Sequence, residues 1–191
     1  MAEEEYTYEY IVVHLPHLIL ASGSPRRKQW LEALRIPFTL VIPNIDETPH
    51  LNEGAQALVE RLAQAKAEHV GRDHTESWVL AADTTVSLKG KILNKPVDSS
   101  DAIAMLQSLQ GQTHEVHTAC CLRRKERSIL IHDVARVTFR SMSEKEIKWY
   151  VSTKEPMDKA GAYAIQGQGA YFIEKVAFNN GSGQFTVISV S

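Results

Sequence analysis

Three cations follow a short turn near the start of the chain. Ser22-Gly23-Ser24-Pro25 leads directly into Arg26, Arg27 and Lys28. A helix that begins here carries three positive charges at the positive end of its dipole, which costs about 0.3–1 kcal/mol for each charge. A bound anion reverses that sign, because the N–H groups of the turn and two guanidinium groups would form a phosphate site. The alternative is a solvated helix start whose arginines face water.

Carboxylates follow two apolar segments. Asp83 comes after the apolar residues 78–82, and Asp46 and Glu47 follow a predicted strand that ends at Ile42. Ligands of open α/β sheets gather at the carboxyl ends of strands, so we expect Asp83 at such an end. Glu47 and Asp83 could then share one Mg²⁺ or Mn²⁺, provided that their carboxylates lie within about 10 Å. The alternatives are a cap or Asx-turn at Asp83 and a solvated acidic loop.

Two lysines and a glutamine are further candidates. Lys66 falls on the polar side of a predicted amphipathic helix, and Lys95 precedes Pro96 in a loop. Either lysine is unremarkable alone, and only co-location would make them phosphate ligands. Residues 159–167 contain glycines that let backbone approach a ligand, and Gln166 can present a donor and an acceptor to a base edge. The alternative for this segment is an ordinary tight loop.

Hydrophobic periodicity predicts the elements that must position these residues. Ser24 is the predicted N-cap of the first helix, and Ser143 with Glu146 forms a capping box. The predicted helices cover 25–34, 53–70, 100–109 and 144–151, and the predicted strands cover 18–21, 38–42, 78–82, 113–122, 128–139 and 171–175. Helices interleave with antiparallel hairpins, so we expect an α/β fold with a mixed twisted sheet flanked by helices.

Length and composition favour one cytoplasmic domain. The chain has 191 residues and a formal net charge of -2, which gives no basic field for a nucleic-acid backbone. No run approaches the roughly 20 apolar residues of a membrane helix, and the acidic start does not match a secretory signal. Cys120 and Cys121 match neither a disulfide framework nor a metal spacing, and we interpret both as small core residues. We therefore expect neither nucleic-acid nor membrane partners.

Seven segments, in order, resemble the Maf family of nucleoside triphosphate pyrophosphatases. They are LASGSPRR at 20–27, IDE at 45–47, RLAQAKA at 61–67, AADTTV at 81–86, ILNKP at 92–96, LQGQTHEVHTA at 109–119 and EPMDKAGAYAIQG at 155–167. The resemblance implies an α/β fold similar to inosine triphosphate pyrophosphatases, with a deep cleft between two lobes and a homodimer. We therefore expect one Maf-like domain over residues 15–191, and the N-terminal extension at 1–14 has no obvious counterpart in the family.

The resemblance assigns roles to individual residues. It implies that Asp83 is the catalytic base and that Glu47 is a metal-associated carboxylate, with both near a divalent cation, Mg²⁺ or Mn²⁺. The phosphate path would be lined by Ser22, Arg27, Lys66 and Lys95. The positions associated with base selection are Arg26, Thr84 and Gln166. Asp-Thr after the apolar strand resembles the branch that acts on dTTP and UTP, whereas the branch resembling a 7-methyl-GTP pyrophosphatase tends to show Asp-Gln.

The implied reaction converts dTTP or UTP into the nucleoside monophosphate and pyrophosphate, and modified pyrimidine nucleotides are further candidate substrates. A catalytically weak nucleotide-binding regulator linked to septum formation is the main alternative, and a plain interaction module is another. Asp83, Glu47 and Lys95 together favour the enzyme, since binding alone needs no water-activating carboxylate. From about residue 176 the chain departs from the family's Gly-Ser/Asp-x-x-x-Val-x-Gly-Leu-Pro stretch and closing helix, which could close the cleft or complete the dimer.

Overall fold

The computed structural model of the protein describes residues 17–179 and 185–189, so the predicted extension at 1–14 lies outside the described residues. Within these residues the α-helices are α1 (Pro25–Ala33), α2 (Ala55–Gly71), α3 (Ser99–Leu109) and α4 (Glu144–Ser152). The strands are β1 (Leu18–Ala21), β2 (Phe38–Val41), β3 (Trp78–Leu88), β4 (Lys91–Leu93), β5 (Thr113–Arg124), β6 (Arg127–Phe139), β7 (Ile173–Asn179) and β8 (Phe185–Ser189). Short 3₁₀ helices cover Glu155–Asp158, Ala160–Ala162 and Gln168–Phe172.

The strands pair into one mixed sheet, as predicted. Its order is β2-β1-β3-β5-β6-β7-β8, and β4 pairs with β3. Strand β1 is parallel to β2 and β3, whereas β3–β4, β6–β7 and β7–β8 are antiparallel. The last residue of β1, Ala21, lies opposite Ala81 of β3. This register fixes where the parallel part of the sheet ends.

The described residues divide into two compact units. The first contains 17–48, 60–83 and 120–131, and the second contains 49–59, 84–119, 132–179 and 185–189. Strands β3, β5 and β6 contribute residues to both units. The prediction of one domain over 15–191 stays a prediction.

Each unit has its own apolar core. In the first unit, Leu18 and Leu20 of β1 pack with Leu31 of α1. In the second unit, α3 and α4 pack with β6 around an aromatic cluster that includes Phe139, Tyr150 and Phe172. These cores hold the helix starts and strand segments that carry the candidate site residues.

Two predicted helix starts are confirmed. Ser24 is the N-cap of α1 and Pro25 is its first residue, although the Ser24 side chain makes no capping hydrogen bond. Ser143 and Glu146 form the predicted capping box at the start of α4. No helix among the described residues is long and apolar enough to cross a membrane.

Three predictions about the strands and their residues were wrong. Asp83 does not end its strand, because β3 continues to Leu88 through the β-branched residues that follow it. Tyr171 belongs to a 3₁₀ helix, and the strand after it begins at Ile173. Cys121 is buried as expected but Cys120 is exposed, since neighbouring side chains of β5 point to opposite faces.

Candidate active site

A buried lysine joins two carboxylates in the first unit. Lys66 of α2 is only 6% exposed. Its Nζ donates to Asp83 Oδ1 at 2.6 Å and lies 2.7 Å from Glu47 Oε1. The prediction that Lys66 lies on the polar side of its helix was therefore wrong. A lysine is buried in this way when its charge is neutralised by partners, and both partners here are negative.

The two carboxylates meet the distance condition for a shared ion. Both oxygens lie within hydrogen-bonding distance of the same Lys66 Nζ, so they cannot be farther apart than the sum of those two short distances. Their environments differ: the Asp83 side chain is 12% exposed, whereas that of Glu47 is 46% exposed. Asp83 is thus the protected carboxylate and Glu47 the solvent-facing one.

Strand register positions Asp83. It lies two residues beyond Ala81, which pairs with the last residue of β1. Asp83 therefore sits just past the carboxyl end of the parallel β1–β3 pair, even though β3 itself continues. Ligands of open α/β sheets bind at this edge. Asp83 therefore lies at the edge where it was expected, although β3 itself does not end there.

Burial makes Asp83 a stronger base than an ordinary aspartate. Desolvation raises the pKa of its carboxyl above the usual value, and the nearby Glu47 charge raises the pKa further. The Lys66 ammonium and, more weakly, Arg27 oppose this rise, but burial dominates. The raised pKa increases the affinity of this carboxylate for a proton from water.

Arg27 and Ser22 form the cationic side of the same unit. Arg27 Nη1 donates to the Ala82 carbonyl at 2.8 Å and to Ser22 Oγ at 3.4 Å. The buried Ser22 Oγ also accepts from the Ser24 N–H at 3.1 Å. Burial lowers the pKa of Arg27, and the negative charge of Asp83 opposes that effect. A guanidinium remains charged in proteins, so a fixed cation lies at the start of α1 within the electrostatic influence of Asp83.

Arg26 occupies the first turn of α1 and is partly buried. Its charge lowers the pKa of Arg27, so the two guanidinium groups repel each other across this turn. Two like charges at the positive end of a helix dipole are unfavourable unless an anion compensates them. This turn retains the electrostatic property from which the sequence predicted a phosphate site.

Three predicted site residues belong to the second unit. Thr84 is exposed, and its hydroxyl lies 3.1 Å from that of Thr118. Lys95 is exposed between Asn94 and Pro96, and Gln166 is exposed in the segment that follows Tyr163. Their participation with the Asp83 group stays a prediction.

Sequence reasoning missed one neighbour of Arg27. The charge of Arg27 lowers the pKa of Cys120, although burial raises it more and leaves the thiol pKa above its usual value. Both adjacent cysteines were interpreted as core residues, although a strand directs neighbouring side chains to opposite faces. The alternation of side chains along β5 is the signal that separates exposed Cys120 from buried Cys121.

The donors suit a hard divalent cation held partly by substrate. Mg²⁺ is usually bound by one or two carboxylates together with phosphate oxygens and water, rather than by an all-protein cage. Glu47 and Asp83 supply two such carboxylates, and both contact Lys66. Within 17–179 and 185–189, no cluster of three or more His, Cys, Asp or Glu side chains is arranged to hold a metal. The residues present fit a cation of this kind.

Comparison with known proteins first identifies the fold. The solved structure of the Staphylococcus aureus Ham1 protein aligns with a TM-score of 0.50 over 82% of this chain and 91% of that one, at 12% identity. The chain is thus an α/β protein with the Ham1 type of fold.

Sequence comparison then gives the family. Residues 17–182 match the family described as Maf-like protein, and the chain belongs to the Maf family. It is 50% identical to a dTTP/UTP pyrophosphatase of Myxococcus xanthus (strain DK1622) over 160 residues, which is 83% of this chain and 81% of that protein. It is 46% identical to a dTTP/UTP pyrophosphatase of Bacillus cytotoxicus over 158 residues, or 83% of each chain.

Proposed function

We propose that this protein hydrolyses dTTP and UTP to the nucleoside monophosphate and pyrophosphate. The observation that carries the proposal is the buried Lys66 ammonium, which holds Asp83 at 2.6 Å and Glu47 at 2.7 Å. The names of the relatives from Myxococcus xanthus and Bacillus cytotoxicus support the choice of these substrates. The protein is accordingly a nucleoside triphosphate diphosphatase.

Asp83 is the general base of the proposed reaction. Lys66 fixes Oδ1, and the other carboxylate oxygen orients water and accepts its proton. The resulting hydroxide bonds to the α-phosphorus, the bond between that phosphorus and the oxygen bridging to the β-phosphate breaks, and pyrophosphate leaves. Because a general base works best with a pKa near the operating pH, the raised pKa of Asp83 favours this step.

The cationic groups of the first unit bind the triphosphate. Arg27 can offer its remaining N–H donors to phosphate oxygens while Nη1 is held by the Ala82 carbonyl and Ser22. The N-terminus of α1 adds backbone donors and a favourable dipole. These groups stabilise the negative charge that develops on the departing pyrophosphate.

Glu47 and Asp83 are the residues that would hold Mg²⁺ or Mn²⁺ in this proposal. Such an ion neutralises phosphate charge and polarises the phosphoryl group. Lys66 keeps the two carboxylates adjacent and limits their mutual repulsion.

The finer assignments extend the proposal. Lys95 would contact phosphate, and base selection would rest on Arg26, Thr84 and Gln166. Modified pyrimidine nucleotides are further candidate substrates.

We also propose that the protein is a cytoplasmic homodimer that acts on free nucleotides rather than on nucleic acid or membranes. Sedimentation of the purified protein tests the dimer directly.

The test is pyrophosphate release from dTTP, UTP, CTP, GTP and 7-methyl-GTP with Mg²⁺ or Mn²⁺. We expect activity on dTTP and UTP that Asp83→Asn abolishes. Asp73→Asn is the matched control, because this exposed aspartate follows α2 in the same unit. Release from none of the five nucleotides would contradict the proposal, and binding without release would identify the regulator instead.

A further inference from the structure

The loop that carries Gln166 is exposed in the middle and fixed at both ends. Residues 165–168 are exposed, whereas Ala164 and Gly169 are buried. We call residues 164–169 the glutamine loop. It lies wholly in the second unit, between Tyr163 and the rest of the 3₁₀ helix Gln168–Phe172.

One carboxylate accepts the backbone donors at the end of this loop. Glu155 Oε2 accepts from the Gln168 N–H at 3.0 Å, and Oε1 accepts from the Gly169 N–H at 3.1 Å. These are the first two amides of the 3₁₀ helix, whose N-cap residue, Gly167, has no side chain to cap them. Glu155 therefore caps this helix from a distant position in sequence.

Tyr150 connects the same carboxylate to the start of the loop. Its hydroxyl donates to Glu155 Oε1 at 2.8 Å and accepts from the Ala164 N–H at 3.3 Å. The Tyr150 ring is fully buried and packs edge-on against Phe172, with ring centroids 5.2 Å apart. Tyr150 of α4 thus binds the start of the glutamine loop directly and is linked to its end through Glu155.

The glycines of the loop permit this close approach. A Cβ at Gly167 would lie 2.8 Å from both Glu155 oxygens, and the φ of +139° is strained for any residue with a side chain. A Cβ at Gly169 would lie 2.6 Å from the Tyr150 hydroxyl. The backbone on either side of the carboxylate therefore has a shape that only glycine allows.

We propose that Glu155 and Tyr150 are positioning residues for base selection, because together they fix the two ends of the loop that presents Gln166. The inference rests on the proposed function, in which Gln166 contacts the base. A glutamine discriminates between bases only if its donor and acceptor are held in place, since an adaptable amide could satisfy either kind of base edge.

The charge state of Glu155 supports the same role. Partial burial raises the pKa of its carboxyl, but the N–H groups of Gln168 and Gly169, the Tyr150 hydroxyl and the Lys159 charge together outweigh that effect and lower it. The carboxylate is therefore ionised at neutral pH and accepts from all of its donors. A glutamine side chain at this position would turn an N–H₂ group toward one of them.

The test compares the binding of α,β-imido-UTP and α,β-imido-CTP by calorimetry, which needs no turnover. We expect Glu155→Gln to weaken UTP-analogue binding about 10-fold, the loss typical of a hydrogen bond to a charged group, and to weaken CTP-analogue binding much less. Tyr150→Phe keeps the buried ring and should shift the affinity ratio in the same direction. Glu174→Gln, an exposed position on β7 with the same change in charge, is the matched control and should leave the ratio unchanged.

Amide hydrogen exchange provides the second measurement. In Glu155→Gln the Gln168 and Gly169 amides should exchange faster, while amides of β6 keep their protection. Equal loss of affinity for both analogues, an unchanged ratio, or the same shift in Glu174→Gln would overturn the proposal, because a merely structural role predicts those results. If the wild type binds UTP analogue selectively but releases no pyrophosphate, the proposed activity fails and the affinity ratio still decides the role of Glu155.

Discussion

Replacing Lys66 by Met removes the charge that lies between two carboxylates. Met has a similar length and is flexible and apolar, so α2 can keep its packing. The change leaves the 12%-exposed Asp83 side chain without its cationic partner at 2.6 Å. Glu47 loses the same partner at 2.7 Å but is nearly half exposed to solvent.

The expected loss of stability follows from these two environments. Removing one member of a buried ion pair costs about 3–5 kcal/mol, whereas an exposed partner contributes about 0–1 kcal/mol. Asp83 can reduce the first cost by binding a proton, at about 1.4 kcal/mol for each unit of pKa shift. We therefore expect Lys66→Met to lower the free energy of unfolding by about 2–4 kcal/mol at pH 8 and by about half as much at pH 5.

The direction of the pH dependence follows from the raised pKa of Asp83. A carboxyl whose pKa is higher in the folded state binds its proton more tightly there than in the unfolded state. Its contribution to stability is complete below the unfolded pKa and is lost as pH rises through the folded pKa. Because Lys66 lowers the pKa of Asp83, the variant should raise that pKa further and lose stability over a higher pH range.

Urea unfolding at pH 5 and pH 8 measures both effects, and Asp83→Asn with the double variant completes a mutant cycle. Lys28→Met is the control, since that lysine is 49% exposed and its Nζ lies 3.6 Å from Glu32 Oε1, one turn further along α1. We expect the control to change stability by less than about 0.5 kcal/mol. An equal loss for Lys66→Met at both pH values, or zero coupling to Asp83, would refute the reasoning.

Three further predictions concern backbone, capping and charge. Gly161→Ala should destabilise the protein by about 2–4 kcal/mol, because the new Cβ would lie 2.9 Å from Val86 and the φ is +68°. Gly90→Ala is the control: its φ is +82°, but no atom lies within 4 Å of the new Cβ, so this change should cost about 1–2 kcal/mol. Equal costs in urea unfolding would exclude the steric contribution. Ser143→Ala removes the capping box of α4 and should cost about 1 kcal/mol, lowering Tm by about 2–4 °C in calorimetry; an unchanged Tm would contradict this. Arg27→Lys should lower kcat/KM for dTTP at least about 10-fold, because lysine lacks the forked guanidinium group that contacts the Ala82 carbonyl. A variant with wild-type kinetics would show that the guanidinium is not required.

Local sequence signals predicted the starts of α1 and α4 because each of these helices begins with a recognisable capping sequence. Pro25 after Ser24 marks the start of α1, and the Ser143–Glu146 box marks that of α4. The bounds of β3 were harder to predict, because Asp83 interrupts an apolar run and polar residues usually indicate a strand end. The threonines after Asp83 favour extended backbone, and Thr85 Oγ1 donates to the Asn94 side chain at 3.3 Å, which offsets their polarity.

The sequence predicted which residues form the candidate site but not the ion pairs that join them. The resemblance named Glu47, Lys66 and Asp83, yet helical periodicity put Lys66 on the polar face. Lys66 can be buried because its charge is neutralised by carboxylates 19 and 17 residues away along the chain. Helical periodicity describes only neighbours within a few residues, so it cannot predict such a pairing. The capping role of Glu155 could not be predicted for the same reason, since its carboxylate accepts from amides 13 and 14 residues further along the chain.

The position of Asp83 inside β3 restricts how the length of this segment can change. Buried Asp83 and exposed Thr84 alternate along a strand whose earlier residues pair with β1. Inserting or deleting one residue between Trp78 and Ala82 would exchange the two faces and turn the carboxylate away from Lys66. An insertion at the Lys89–Gly90 turn would leave that alternation intact. We therefore expect relatives and engineered variants to differ in length at the turn and to keep the residue count before the aspartate constant.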